Sequence, residues 1–144
     1  EVRLKRFLEM RGADGGHWSN LCALPAFWTG LMYDDGALNA AHALIRDWSI
    51  EEMAKLRTDV PVHALQAKFR DRTVQDIALE VLGYAQQGLR NRARLDSAGQ
   101  DESRFLDPLL HIARTGVTFA DAALALYDGV WNGDAKRAFR DFAY

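Results

Sequence analysis

The first eleven residues, Glu1-Val-Arg-Leu-Lys-Arg-Phe-Leu-Glu-Met-Arg11, alternate in a way that only extended backbone can use. A β-strand sends successive side chains to opposite faces. The odd positions are Glu1, Arg3, Lys5, Phe7, Glu9 and Arg11, and the even ones are Val2, Leu4, Arg6, Leu8 and Met10. One face is therefore almost wholly ionic and the other almost wholly apolar, with Phe7 and Arg6 as the exceptions. The rest of the chain reads as helix. One strand cannot stand alone, because its backbone donors and acceptors need partners. The expectation is an α+β chain whose single N-terminal strand pairs with another chain or belongs to a sheet lying elsewhere.

At 144 residues and 49% hydrophobic content, with four Trp, the chain has material for a packed core and is not of disordered composition. A net charge of −2 gives no electrostatic footprint for nucleic acid. Two basic runs, Lys68 to Arg72 and Arg90 to Arg94, read as solvated helix ends. No apolar run approaches the roughly 18 residues of a membrane span, and no secretory signal opens the sequence. No nucleic-acid or membrane partner is therefore expected. The single Cys22 has no partner for an intrachain disulfide, which suits a reducing cytoplasm.

Gly12 to Gly16 reads as a turn. Leu21, Leu24, Phe27, Trp28, Leu31 and Met32 recur at helical spacing over Trp18 to Tyr33. That helix should be buried on most sides, with Pro25 kinking it or breaking it near Leu24. Asp34-Asp35-Gly36 is a turn before a second helix, Ala37 to Trp48. Ser49 with Glu52 is a capping box opening a helix that should stop before Pro61. Thr73 with Asp76 caps a long helix running to about Ala98 and ended by Gly99, its middle weakened by Gly83 and Gly88. Asp107-Pro108 reads as an N-cap with proline at the first helical position, and Gly116 closes that helix. Thr118 opens another through Tyr127. A short last helix after Asp134 carries Phe139, Phe142 and Tyr144 as an aromatic stripe. The whole, 1–144, reads as one unit: a strand and turn over 1–14, and six or seven helices over 15–144.

Glu9 and Arg11 stand two apart on the strand and so face the same side. A carboxylate is a hard oxygen donor suited to Mg²⁺. A guanidinium is a fixed fork suited to phosphate or carboxylate. Arg3 and Lys5 extend the basic surface of that face. The competing reading is the wet side of an antiparallel sheet, which is often polar.

The longer string narrows the choice. Glu1-Val-Arg-Leu-Lys5, Leu8-Glu-Met-Arg-Gly-Ala-Asp14, Gly15-Gly16, Trp18 and Leu21-Cys-Ala-Leu-Pro-Ala-Phe-Trp28 resemble the plant and proteobacterial type of glutamate–cysteine ligase (γ-glutamylcysteine synthetase). So do Leu31, Tyr33-Asp34, Asp47-Trp48, Val60-Pro61, Phe69-Arg70, Arg92-Ala-Arg-Leu-Asp96, Phe105-Leu-Asp-Pro-Leu109, Thr115-Gly116, Tyr127 and the closing aromatics. The resemblance covers essentially the whole chain but only the C-terminal third or so of such an enzyme. It implies ATP-dependent joining of the L-glutamate γ-carboxylate, through an acyl phosphate, to the L-cysteine amine, the first step of glutathione synthesis. It also implies Mg²⁺ and a glutamine-synthetase-like antiparallel sheet, supplied mostly by the missing N-terminal part. By motif position it places a metal ligand at Glu9 and a catalytic, phosphoryl-contacting arginine at Arg11. Arg3 and Lys5 would support the anionic ligands, and the fragment alone should be inactive. His17 stands where the family pattern has proline, and Gln66-Ala67-Lys68 and Arg72 also depart from it.

Other candidates are weaker. His17, His42, His63 and His111 show no metal-ligand spacing, though His17 lies on the turn leaving the strand. Cys22 reads as a small core residue. No nucleophile elbow, P-loop or dinucleotide fingerprint occurs. Two rivals stay open. One is a related carboxylate–amine ligase with another amine acceptor, since nothing here reads a thiol. The other is a non-catalytic helical module that lends its strand to a partner's sheet.

Overall fold

The chain doubles back on itself at its start. In the computed structural model, which describes residues 2–13 and 16–142, the N-terminal segment is a hairpin: β1 (Val2–Leu4) pairs antiparallel with β2 (Leu8–Met10). The register sets Val2 against Met10, Arg3 against Glu9 and Leu4 against Leu8. The expected continuous strand is thus corrected to a strand pair, which gives the backbone groups local partners. Directly opposed residues share a face, so the division into ionic odd and apolar even positions survives the turn. Arg6 and Phe7, the two exceptions to the alternation, lie in the turn itself. Glu1, the Asp14-Gly15 part of the following turn, and Tyr144 fall outside the described residues.

Seven α-helices follow among the described residues. Helix α1 (Trp18–Met32) continues through Pro25, so the break expected near Leu24 does not occur. Its packed face, Ala23, Ala26, Gly30 and Leu31, is buried, while Trp18 stays 71% exposed; burial is one-sided rather than general. Helix α2 (Asp35–Ile45) is capped by Asp34, whose Oδ1 accepts from Ala37 N at 2.8 Å, and it ends before Asp47 and Trp48. Helix α3 (Ile50–His63) opens with the expected Ser49–Glu52 capping box. It runs past Pro61, contrary to expectation. The missing proline N–H orphans only the exposed Arg57 carbonyl, which water can satisfy.

Lys68 to Arg72 is not a helix end. It is a second hairpin, β3 (Lys68–Phe69) with β4 (Arg72–Thr73), turned at Arg70, whose φ is +54°. Helix α4 (Val74–Arg92), opened by the Thr73–Asp76 capping box, stops at a left-handed Ala93 and does not reach Gly99. Beyond it Asp96 Oδ1 accepts from Ala98 N (2.8 Å) and Gln100 N (3.0 Å), and Leu95 bridges Asp101. That local competition for the carboxylate is why the helix ends early.

A 3₁₀ turn (Glu102–Leu106), capped by Asp101, leads into α5 (Asp107–Thr115), so Asp107 lies inside the helix rather than capping it. Gly116 closes α5 at φ +71°, as expected. Helix α6 (Phe119–Asp128) has the Thr118–Asp121 capping box, and α7 (Lys136–Asp141) is short. The closing aromatics are not one stripe. Phe142 packs on Phe119 (4.9 Å) and Trp131 (5.3 Å), whereas Phe139 is 85% exposed.

The core lies where α1, α4, α5 and the 3₁₀ turn meet, around the fully buried Leu89 and Leu106. Gly88 also admits α1. A Cβ on Gly88 would stand 2.0 Å from the Gly30 carbonyl oxygen, and one on Gly30 would stand 2.3 Å from that of Ala85. No single helix among the described residues is long and apolar enough to cross a membrane.

Candidate functional site

The hairpin gathers the ionic residues of the opening segment. Arg3 lies directly across from Glu9. Lys5, in the turn, brings Nζ to 3.3 Å from Glu9 Oε2. Arg11 follows one residue after β2 and is exposed. The even, apolar face does not lie on the helices: Val2, Leu4 and Leu8 are 58%, 85% and 52% exposed. The hairpin register sets Val2 against Met10 and Leu4 against Leu8, and leaves this face largely open.

Glu9 Oε2 is screened from solvent yet has no hydrogen-bond partner among the described residues. The Lys5 ammonium approaches this same oxygen but not in hydrogen-bond geometry, so it balances charge without saturating the lone pairs. A shielded carboxylate oxygen left open is costly unless something occupies it, and a hard oxygen of this kind fits Mg²⁺. Among the described residues no three His, Cys, Asp or Glu side chains come together. Glu9 therefore fits only as one ligand of a set, and no co-ligand lies among the described residues.

A second ionic cluster escaped the sequence. Arg70, at the tip of the β3–β4 hairpin, donates from Nε to Glu52 Oε1 (2.7 Å) and from Nη2 to Glu52 Oε2 (2.8 Å). It also reaches Asp47 through Nη1 to Oδ2 (3.0 Å) and Nη2 to the backbone carbonyl (3.0 Å). The paired guanidinium holds the Glu52 carboxyl down at about 2, and the two acids raise Arg70 in turn. Phe69, beside it, packs on Trp48 at 4.4 Å. Four of the five N–H donors of Arg70 are used, so this clasp ties the α2–α3 link, α3 and the hairpin together. The only sequence signal was acidic residues around the helix start at Ser49.

The other candidates resolve simply. His17 caps α1, with Nδ1 accepting from Ser19 N at 3.4 Å, and is exposed. Cys22 is half-buried beside a hollow of about 270 Å³ lined also by Pro25, Thr29 and Phe105. A larger hollow of about 720 Å³, lined by Gln86, Arg90, Ser103 and Arg104 among others, includes no residue of the hairpin. Its Arg104 is held by Asp96 and Gln100.

The chain matches the glutamate–cysteine ligase family 2 over residues 1–141. It therefore belongs to that family. It is 46% identical over all 144 residues to the chloroplastic glutamate–cysteine ligases of Arabidopsis thaliana and Medicago truncatula, covering 26% and 27% of those proteins. It is 44% identical to the chloroplastic ligase A of Oryza sativa subsp. japonica, covering 28% of it. The chain thus spans little more than a quarter of the length of the relatives it matches. Their chloroplast names overturn the cytoplasmic expectation. A lone cysteine speaks only to redox conditions, which reducing compartments share.

Proposed function

We propose that this chain supplies one active-site hairpin, and a helical layer beside it, to an ATP-dependent ligase. That enzyme joins the L-glutamate γ-carboxylate, activated as an acyl phosphate, to the amine of L-cysteine, the first step of glutathione synthesis. The rest of the enzyme would supply a glutamine-synthetase-like sheet that covers Val2, Leu4 and Leu8 and completes the metal site. Phosphoryl transfer asks a protein chiefly for positioning and for neutralisation of developing charge. Glu9 would be one Mg²⁺ ligand, and Arg11 would hold phosphoryl oxygens in its fork. Arg3 and Lys5 would add positive potential along the same face. When bound, Mg²⁺ supplies charge neutralisation at the nucleotide phosphates.

The observation that carries this reading is the solvent-shielded Glu9 Oε2 with no hydrogen bond among the described residues. Family membership supports a ligase over a bare interaction module. The test is Glu9→Gln in the full-length enzyme. Mg-dependent ATP turnover should be lost while the circular dichroism spectrum and thermal midpoint are retained. Near-normal turnover would remove the metal-ligand role.

A further inference from the structure

Lys5 and Glu9 meet only because the segment folds back. In a straight strand, four residues would separate them by about 13 Å; across the turn Lys5 Nζ stands 3.3 Å from Glu9 Oε2. That oxygen is shielded from solvent and accepts no hydrogen bond from the described residues. The ammonium is thus a stand-in for positive charge on an oxygen it does not saturate. The two side chains are 49% and 31% exposed, so the contact is weak and easily exchanged. Lysine suits such exchange, being a compact charge on a flexible four-carbon stem.

Resting on the reading of Glu9 as a cation ligand, we propose that Lys5 is a built-in competitor that tunes cation binding at Glu9 and couples it to a polyphosphate anion. Magnesium binds carboxylate oxygen at about 2.0–2.1 Å. An ammonium held at the observed distance from the same oxygen would then face a like charge at close range, and it must swing away. Without an anion to receive it, that displacement costs affinity. With a nucleotide's phosphates nearby, the released ammonium gains a new partner. Cation and nucleotide therefore bind with positive coupling, which by linkage acts equally in both directions.

The experiment is a Mn²⁺ titration of the full-length enzyme, read by electron paramagnetic resonance at low ionic strength without nucleotide. Lys5→Gln should tighten the Glu9 site by about two- to fivefold, the range of an exposed ion pair, and Lys5→Arg should stay near wild type. The difference should shrink in high salt, which screens exposed charges. A non-hydrolysable ATP analogue should raise Mn²⁺ affinity more in wild type than in Lys5→Gln. Unchanged or weaker Mn²⁺ binding in Lys5→Gln, or equal gains from the nucleotide, would overturn the proposal. Glu9→Gln separates the two layers. Loss of one Mn²⁺ per chain with no Lys5 effect overturns the competition alone, whereas retention of every Mn²⁺ overturns the reading of Glu9 itself.

Discussion

Two of the ionic clusters among the described residues, those at Glu9 and at Glu52, both set a basic side chain against glutamate, and they end differently. Around Arg70, a guanidinium meets both oxygens of Glu52 and both a carboxylate and a carbonyl of Asp47. At Glu9, a single ammonium sits beside a shielded oxygen that accepts no hydrogen bond among the described residues. The first cluster is closed, since four of the five Arg70 donors and both Glu52 oxygens are bonded inside the chain. The second is open. An ionic cluster whose bonds are complete is a clasp; one with an unfilled oxygen is a place for something to bind. The proposed role of Glu9, rather than Glu52, as a metal ligand rests on this difference.

The comparison can be broken most directly at the open cluster. Glu9→Gln should lower kcat about 10²- to 10³-fold, the scale of losing one electrostatic stabiliser in a reacting site, with the thermal midpoint held; steady-state ATP turnover and a melting curve decide it. A packing lesion far from both clusters supplies the reference. Gly88→Ala puts a methyl into the Gly30 carbonyl and should cost about 1–3 kcal/mol of stability by overpacking, read by denaturant unfolding, with Mn²⁺ affinity unmoved in the folded protein. At the closed cluster, Arg70→Lys replaces a fork by a point charge. It should lower the melting temperature modestly and leave kcat/KM alone, and a large catalytic loss there would blur the distinction.

The smallest effect is in pH. Glu52 is held near 2, below its ordinary 4.5, first by the Arg70 hydrogen bonds. A depressed carboxyl contributes stability above its unfolded value and loses it as pH falls through the folded one. The Arg70 clasp should therefore be fully present above about pH 4.5 and fade toward pH 2. In Arg70→Met that part of the acid-induced loss should disappear from unfolding curves measured between those pH values.

Much of the helical layer was legible because its signals are local. The capping boxes Ser49–Glu52, Thr73–Asp76 and Thr118–Asp121 form as read, since each needs only four consecutive residues. Helix ends were harder. Ala93 stops α4 because Asp96 binds the amides of its own loop, and the capping aspartate before α5 is Asp101 rather than Asp107. The hairpin was half legible. The alternation holds across both strands, and Arg6 and Phe7, its two exceptions, mark the turn. The Arg70 clasp was hidden, because its acids lie 18 and 23 residues away.

What the amino-acid order determined alone is the alternation that makes an ionic face of Arg3, Lys5 and Glu9, the capped helices that follow, and the motif string that marks the ligase family. Each follows from side-chain periodicity or from hydrogen bonds between near neighbours. Only the tertiary structure decided which charges are spent and which remain open. That distinction depends on distances across turns and between elements: Lys5 to Glu9 over a reversal of the chain, Arg70 to α3 and the link before it, and Gly88 to Gly30 across a helix crossing. No local pattern encodes such distances, because they exist only after the chain has folded back on itself.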